Sequence, residues 1–265
     1  MNKFFKKLTA IALAGVMCLS LCACSTDLDT MILMKKVYDA VETTKSAEGE
    51  FECSAKGSYG IVPVKAKMEG DISYLAEKPT VWLDAEIDLG LLGDMDVDVY
   101  AEVGENTVDI YAGVEKLGDG MNWFYEKADL PEGQSFNVSG IISLIDKGSV
   151  LVAKGEEKQI NGVDAVKITL TMPGDMFAVA LGNQDCIVGD VVINAWVNKA
   201  DGHILRLETE LSEIAKLLVS TVLEDDADNI KITSLPLEVE FDSFDTLKEI
   251  KIPQEALKAA KTETK

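Results

Sequence analysis

Histidine is almost missing from this chain. There is one among 265 residues, His203, and no cysteine or second histidine is spaced to share a metal with it. No serine or cysteine stands in a nucleophile-elbow context either, so no enzyme, metal or cofactor is expected. Cysteine is scarce: five in all, three of them at or before Cys24. The other two, Cys53 and Cys186, are far apart in sequence and give no disulfide framework. Two inert buried thiols are expected, with a single bridge as the alternative. Aromatic residues make up only 6%, so a core must come from Val, Ile, Leu, Ala and Met. Positive charge is short as well: 25 basic against 46 acidic side chains leave −21. Such a chain repels nucleic acid and anionic headgroups, which excludes nucleic acid as a partner. The continuous apolar run, Leu8 to Leu21, is shorter than the ~20 residues a spanning helix needs.

What the chain does have is alternation. Val81, Leu83, Ala85, Ile87 and Leu89 share one parity, then Met95, Val97, Val99, Ala101 and Val103, then Val108, Ile110, Ala112 and Val114. Strict period two predicts half-buried strands with one apolar face. The other face carries Asp84, Glu86, Asp88, Asp94, Asp96, Asp98, Glu102 and Asp109. An antiparallel sheet with one greasy side must have that side covered. Upstream, Gly60-Ile61 suits a type II′ turn after a strand from Glu50, pairing Tyr59 with Val62 and Cys53 with Met68. The break at residues 76–79 then sets Ile72 against Leu83 and Met68 against Ile87. In these registers Asp71 opposes Asp84, Glu69 opposes Glu86, Asp88 opposes Asp96, and Glu86 opposes Asp98. Opposed like charges cost up to about 1 kcal/mol per pair. The residues Glu69, Asp71, Asp84, Glu86, Asp88, Asp96 and Asp98 are therefore a candidate surface for cations or a basic partner. The plainer alternative is a solvated, aggregation-resistant face. Asp94, Asp96 and Asp98 open like an EF-hand loop, but Val99 stands where that loop requires glycine, so the EF-hand is rejected.

Elsewhere the periodicity changes. Met31, Met34, Val37, Tyr38 and Val41 recur at helical spacing, predicting a helix over 28–45. A short aromatic strand is expected over 121–126, a helix over 138–147, a hairpin over 157–172 turning at Asn161-Gly162, and a short helix from Pro173 to Leu181. Residues 187–211 should form a hairpin around Ala200-Asp201-Gly202, with Val197 against Leu205, Val191 against Leu211, and Trp196 beside Arg206 as a cation–π pair. Ile214, Leu217, Leu218 and Val222 mark another helix. The parity flip at Thr233-Ser234 predicts a β-bulge, Pro236 an edge strand, and Gln254 to Ala260 a tail helix.

The amino end sets the compartment. Lys3, Lys6 and Lys7 precede the apolar run, and Leu21-Cys22-Ala23-Cys24 follows it. This resembles the lipobox of bacterial lipoproteins, which implies cleavage before Cys24 and lipidation of that cysteine. Losing three lysines takes the formal charge from −21 to −24, so the acyl chains would have to hold the protein to the membrane. In that context the sequon Asn137-Val138-Ser139 is discounted. The expected organisation is a signal peptide over 1–23, a tether over 24–30, one domain over 31–252, and a short helix and tail over 253–265.

Lipobox, amino-terminal helix, long meander and inserted helices together resemble the half-barrel lipoproteins of the LolA/LppX-like class. The resemblance implies an α+β fold, a strongly curved antiparallel sheet wrapped around a few helices. In some members the space between them holds acyl chains. The expected lining is Ile141, Ile142, Ile145, Met176, Phe177, Ile214, Leu217 and Leu218; those side chains would equally make a dry core. The expectation is a non-enzymatic, monomeric lipoprotein, held at the extracytoplasmic face of the cell membrane through Cys24. Its partner would be a lipid or other hydrophobic ligand, or alternatively a cation or basic protein on the acidic face.

Overall fold

A computed structural model describes residues 28–90, 93–104, 107–116, 120–129, 151–174, 189–216 and 229–263. Helix α1 (Leu28–Thr43) leads into a meander of β1 (Ser46–Tyr59), β2 (Val62–Leu75), β3 (Thr80–Asp88), β4 (Asp94–Val103), β5 (Thr107–Lys116) and β6 (Gly120–Asp129). Two further hairpins follow, β7 (Leu151–Ile160) with β8 (Val163–Met172), and β9 (Val191–Asn198) with β10 (Ile204–Glu210). The chain ends in β11 (Ile230–Ser234), β12 (Pro236–Phe244) and helix α2 (Gln254–Glu263). All strands join one antiparallel sheet in the order β6-β5-β4-β3-β2-β1-β12-β10-β9-β8-β7, with β11 beside the far half of β1. β6 and β7 do not pair, so the sheet curls without closing. This is the expected half-barrel. Among the described residues no helix is long and apolar enough to cross a membrane.

Alternation decides which side faces in. Met68, Ile72, Leu83, Ala85, Val97, Val99 and Ala101 share the concave face with Phe51, Val239 and Phe241. α1 lies on that face with Leu33, Met34 and Val37 in the main core cluster. The β9–β10 turn holds the helix directly: Lys36 Nζ donates to the carbonyls of Lys199 (2.7 Å) and Ala200 (3.2 Å).

Several registers fall as expected. Tyr59 pairs with Val62, Cys53 with Met68, Ile72 with Leu83, and Met68 with Ile87. Gly60 has φ 58°, and Asn161-Gly162 turns the β7–β8 hairpin with φ 50° and 79°. Thr233 is the extra residue where Lys56 meets Ser234 and Gly57 meets Ile232, the bulge the parity flip required.

Other expectations need correction. β1 starts at Ser46 rather than Glu50, β6 runs over Gly120–Asp129, and β7 starts at Leu151 with a register shift between Lys154 and Glu157. The β3–β4 turn is tighter than expected: Leu89 N–H donates to Gly93 O and Gly93 N–H to Gly90 O, both at 3.1 Å. That moves β4 by two residues. Asp88 therefore faces Asp94, Glu86 faces Asp96, and Asp84 faces Asp98. At the β9–β10 turn Asn198 N–H bonds His203 O, which leaves four residues in the loop rather than three. Val197 then faces Ile204 and the ladder shifts around Leu205, so Val197 is not opposite Leu205. β10 ends at Glu210, short of the expected Leu211 partner for Val191. Pro236 is not on an edge, because β12 lies between β1 and β10. Pro236 opens its strand, where a missing N–H is tolerated. The neighbouring Leu235 N–H is taken by the Glu210 carboxylate. Trp196 does face Arg206, but Lys158 Nζ sits over its ring, 3.8 Å from the centroid, with Lys167 at 5.7 Å. Arg206 is drawn away into ion pairs with Glu240 and Glu238.

Candidate functional site: an apolar hollow and an acidic back

The concave face divides by coverage. Across β8, β9 and β10 the inward residues Val166, Ile168, Leu170, Val191, Ile193, Ala195 and Leu207 are buried. Across β2, β3 and β4 the rows Met68–Ile87–Met95 and Ile72–Leu83–Val99 are equally apolar yet only half-buried. Beyond them Ala101, Val108 and Ile110 form a separate small cluster. Met68, Ile72 and Leu83 pack against the cluster that includes α1, while Ile87 and Met95, nearer the β3–β4 turn, belong to no core cluster among the described residues.

Of the expected lining, Ile214 is buried in the main core cluster. Ile141, Ile142, Ile145, Met176, Phe177, Leu217 and Leu218 lie outside the described residues, as do Cys24, the leader, Cys186 and the helices expected over 138–147 and up to Leu181. Cys53 is a free, buried thiol, and burial pushes its pKa up to about 11, so it is an inert one.

The convex face is more ordered than the sequence reading anticipated. Glu208, Glu238, Glu52, Glu69, Glu86 and Asp96 follow one another as direct partners across six strands. One rung over, Glu240, Glu50, Asp71, Asp84 and Asp98 repeat the pattern across five, with Arg206 at the end. The seven acids expected on this face all lie in or beside these rows, Asp88 on the next rung opposite Lys67. Lys67 bonds Glu69 at 2.5 Å and reaches Glu52 at 3.6 Å. Crowding shows in proton affinity. Asp84 is raised by partial burial and then by Asp98, Asp71 and Asp96. Glu115 is raised through its hydrogen bond with Asp96. Among the described residues no group of acids, His or Cys is arranged to hold a metal ion. His203 stacks on Phe244, ring centroids 4.3 Å apart, with Asp201 3.1 Å from Nδ1. That is a turn-packing role.

Sequence reasoning missed a second apolar patch on this acidic side. Trp82, Tyr100, Tyr111, Trp123 and Tyr125 form an aromatic strip on β3–β6, and α2 covers it through Ala256, Leu257 and Ala260. The available signal was Trp82 and Tyr100, which share the parity of Asp84 and Asp98. Trp82 Nε1 donates to Asp98 Oδ1 at 3.0 Å, and burial followed by the nearby Asp98 and Asp84 pushes Tyr100 up to about 12.

No protein-family model matches the sequence, and no curated protein matches it. Among solved structures the chain is similar to lipoprotein LppX of Mycobacterium tuberculosis, at 12% identity and TM-score 0.45, covering 83% of this chain and 97% of that one. It is also similar to LprF from Mycobacterium bovis, at 12% identity and TM-score 0.42, covering 85% and 96%. In fold, the chain resembles the LolA/LppX-like lipoproteins. The likeness is one of arrangement; at this identity it carries no residue roles.

Proposed function

We propose that this is a non-enzymatic lipoprotein, anchored through Cys24 at the extracytoplasmic face of a cell membrane, that binds or carries a lipid or similar apolar ligand. The ligand would sit between the sheet and its helices. The observation that carries the reading is the apolar wall of Met68, Ile72, Leu83, Ile87, Met95 and Val99 on the concave face, which stays only half-buried although α1 lies on that face. Val, Ile, Leu and Met surfaces with few polar groups suit acyl chains, which need burial rather than hydrogen bonds. The seven lining residues outside the described region would complete the roof, and the protein would act as a monomer. Organic extraction of the purified protein followed by mass spectrometry tests the reading. Recovery of a stoichiometric lipid, lost when Leu83 and Val99 are replaced by tryptophan, is expected. An empty extract from protein prepared without delipidation would overturn it.

The carboxylate rows support a second reading, an interaction module whose acidic back faces cations or a basic partner. Charge reversal at Asp88 and Asp96 should then abolish partner binding, and calcium should raise the melting temperature; no change in either removes this reading.

A further inference from the structure

The apolar concave strip does not stop at the core. It runs out along the β1–β2 hairpin to a bare tip, where Tyr59 is 54% exposed, Ile61 98%, Val62 59% and Val64 46%. Single exposed apolar side chains are ordinary, but four within six consecutive positions, with exposed Pro63 among them, form a patch that calls for a partner. Register places Tyr59 opposite Val62 and Gly57 opposite Val64, on the concave side with Cys53, Ala55, Ala66 and Met68. The opposite side of the same tip is basic. Lys56 faces Lys65 directly, and Lys231 lies one rung nearer the turn, opposite Ser58. Among the described residues none of these three lysines is in an ion pair. In a chain with a formal charge of −21 whose convex face carries rows of carboxylates from β10 to β4, a lysine trio at the apolar end is a local inversion. Gly60 N–H is held by Asn229 O at 2.7 Å, so the tip is braced rather than loose.

We propose that this hairpin tip inserts into the lipid bilayer surface, Ile61 leading, with Tyr59 at the interface and Lys56, Lys65 and Lys231 at the headgroup phosphates. A protruding, convex apolar knob can bury itself in a bilayer without a matching pocket. Tyrosine is suited to the boundary between acyl chains and headgroups, and lysines gain near anionic lipid. The continuous strip from Ile61 to Met68 would then lead from the bilayer into the trough. The insertion itself does not rest on the trough being occupied. The acidic residues 224–228 precede Asn229 in sequence and lie outside the described residues, so the apolar tip carries the inference and the lysines support it.

The test uses the full chain, purified in detergent and returned to vesicles of phosphatidylcholine and phosphatidylglycerol with deuterated acyl chains. A diazirine amino acid is placed at position 61 or, as control, at 163. Val163 is also exposed and apolar beside a hairpin turn, but at the opposite end of the sheet. Several-fold more deuterated lipid adducts are expected at 61 than at 163, falling to the control level in Val62→Asp and falling partly in the triple Lys56→Gln, Lys65→Gln, Lys231→Gln variant. Equal yields at the two positions, or adducts at 61 to protein alone, overturn the proposal. Because the vesicle lipid is deuterated, a co-purified ligand differs in mass. An empty trough with strong adducts would sink the carrier reading and leave this one standing.

Discussion

Replacing Gly202 with alanine should loosen α1 from the sheet. Gly202 sits at φ 88°, and a Cβ there would lie 2.3 Å from the carbonyl carbon and oxygen of Lys36 and 2.6 Å from the nitrogen of Val37. These are backbone atoms of α1 and cannot swing aside. Left-handed strain alone costs about 1–2 kcal/mol for a residue with a Cβ. The clash adds the price of moving the helix. Leu33, Met34 and Val37 are at most 8% exposed, and each contributes roughly 1.5–3 kcal/mol when fully buried. Losing a third to a half of that burial adds about 2–4 kcal/mol, for a total of about 3–6 kcal/mol. Gly162 provides the control, because it has φ 79° and nothing within 4 Å of its would-be Cβ. Gly162→Ala should cost only the strain, about 1–2 kcal/mol. Urea denaturation of both variants measures the difference, and limited proteolysis should show earlier cleavage in α1 for Gly202→Ala alone. Equal losses in the two variants would refute the claim that this turn clamps the helix.

Other substitutions probe the remaining features. Burial works to raise Glu210, but hydrogen bonds from Leu235 N–H, Ser234 Oγ and Ser212 outweigh it and hold the carboxyl below its ordinary value. Its stabilisation is therefore present above the unfolded pKa of about 4.3 and is lost as pH falls through the lower folded value; Glu210→Gln should flatten that part of the acid denaturation curve. Asp84 is shifted the other way, so it destabilises the folded state once ionised. Asp84→Asn should raise stability at neutral pH by a few tenths to about 1 kcal/mol, with the gain vanishing as pH falls below the raised folded pKa. Ala256 is fully buried against Tyr100 and Tyr111; Ala256→Asp should detach α2 at a cost of about 2–4 kcal/mol and red-shift tryptophan emission from Trp82 and Trp123, and an unshifted spectrum would count against that packing.

The meander was legible because alternation fixes both face and register. Cys53–Met68, Ile72–Leu83 and Met68–Ile87 could be paired on paper, since a one-residue slip would turn every apolar side chain outward. A two-residue slip leaves parity intact, and that is how the β3–β4 register was misjudged. Only the closure of the turn by Leu89, Gly90 and Gly93 decides it. The same limit applies at Leu205, where a four-residue loop and a compensating shift preserve the inner pairs Ala195–Leu207 and Ile193–Thr209. Pro236 misled because its missing donor was weighed without its strand position. The rows joining β10, β12 and β1 could not be seen at all. They depend on which non-consecutive strands become neighbours, information no local pattern holds.

The two faces together account for the curl. Small residues stand among the larger ones on the concave side of the meander: Gly70, Ala85, Ala101 and Ala112. At Gly70 the approach is so close that a Cβ would lie 1.8 Å from the backbone oxygen of Asp84, so β2 and β3 come nearer to one another there than a side chain would permit. The convex side carries long carboxylates opposed in unbroken rows. Bending the sheet toward its small-residue face brings backbones together on the inside and fans the carboxylates apart on the outside, where water and screening weaken what repulsion remains. A flat sheet would leave inner gaps and hold like charges at about 5 Å. The acidic back thus favours the shape that makes the hollow, and neutralising a row should relax the curvature before it affects the core.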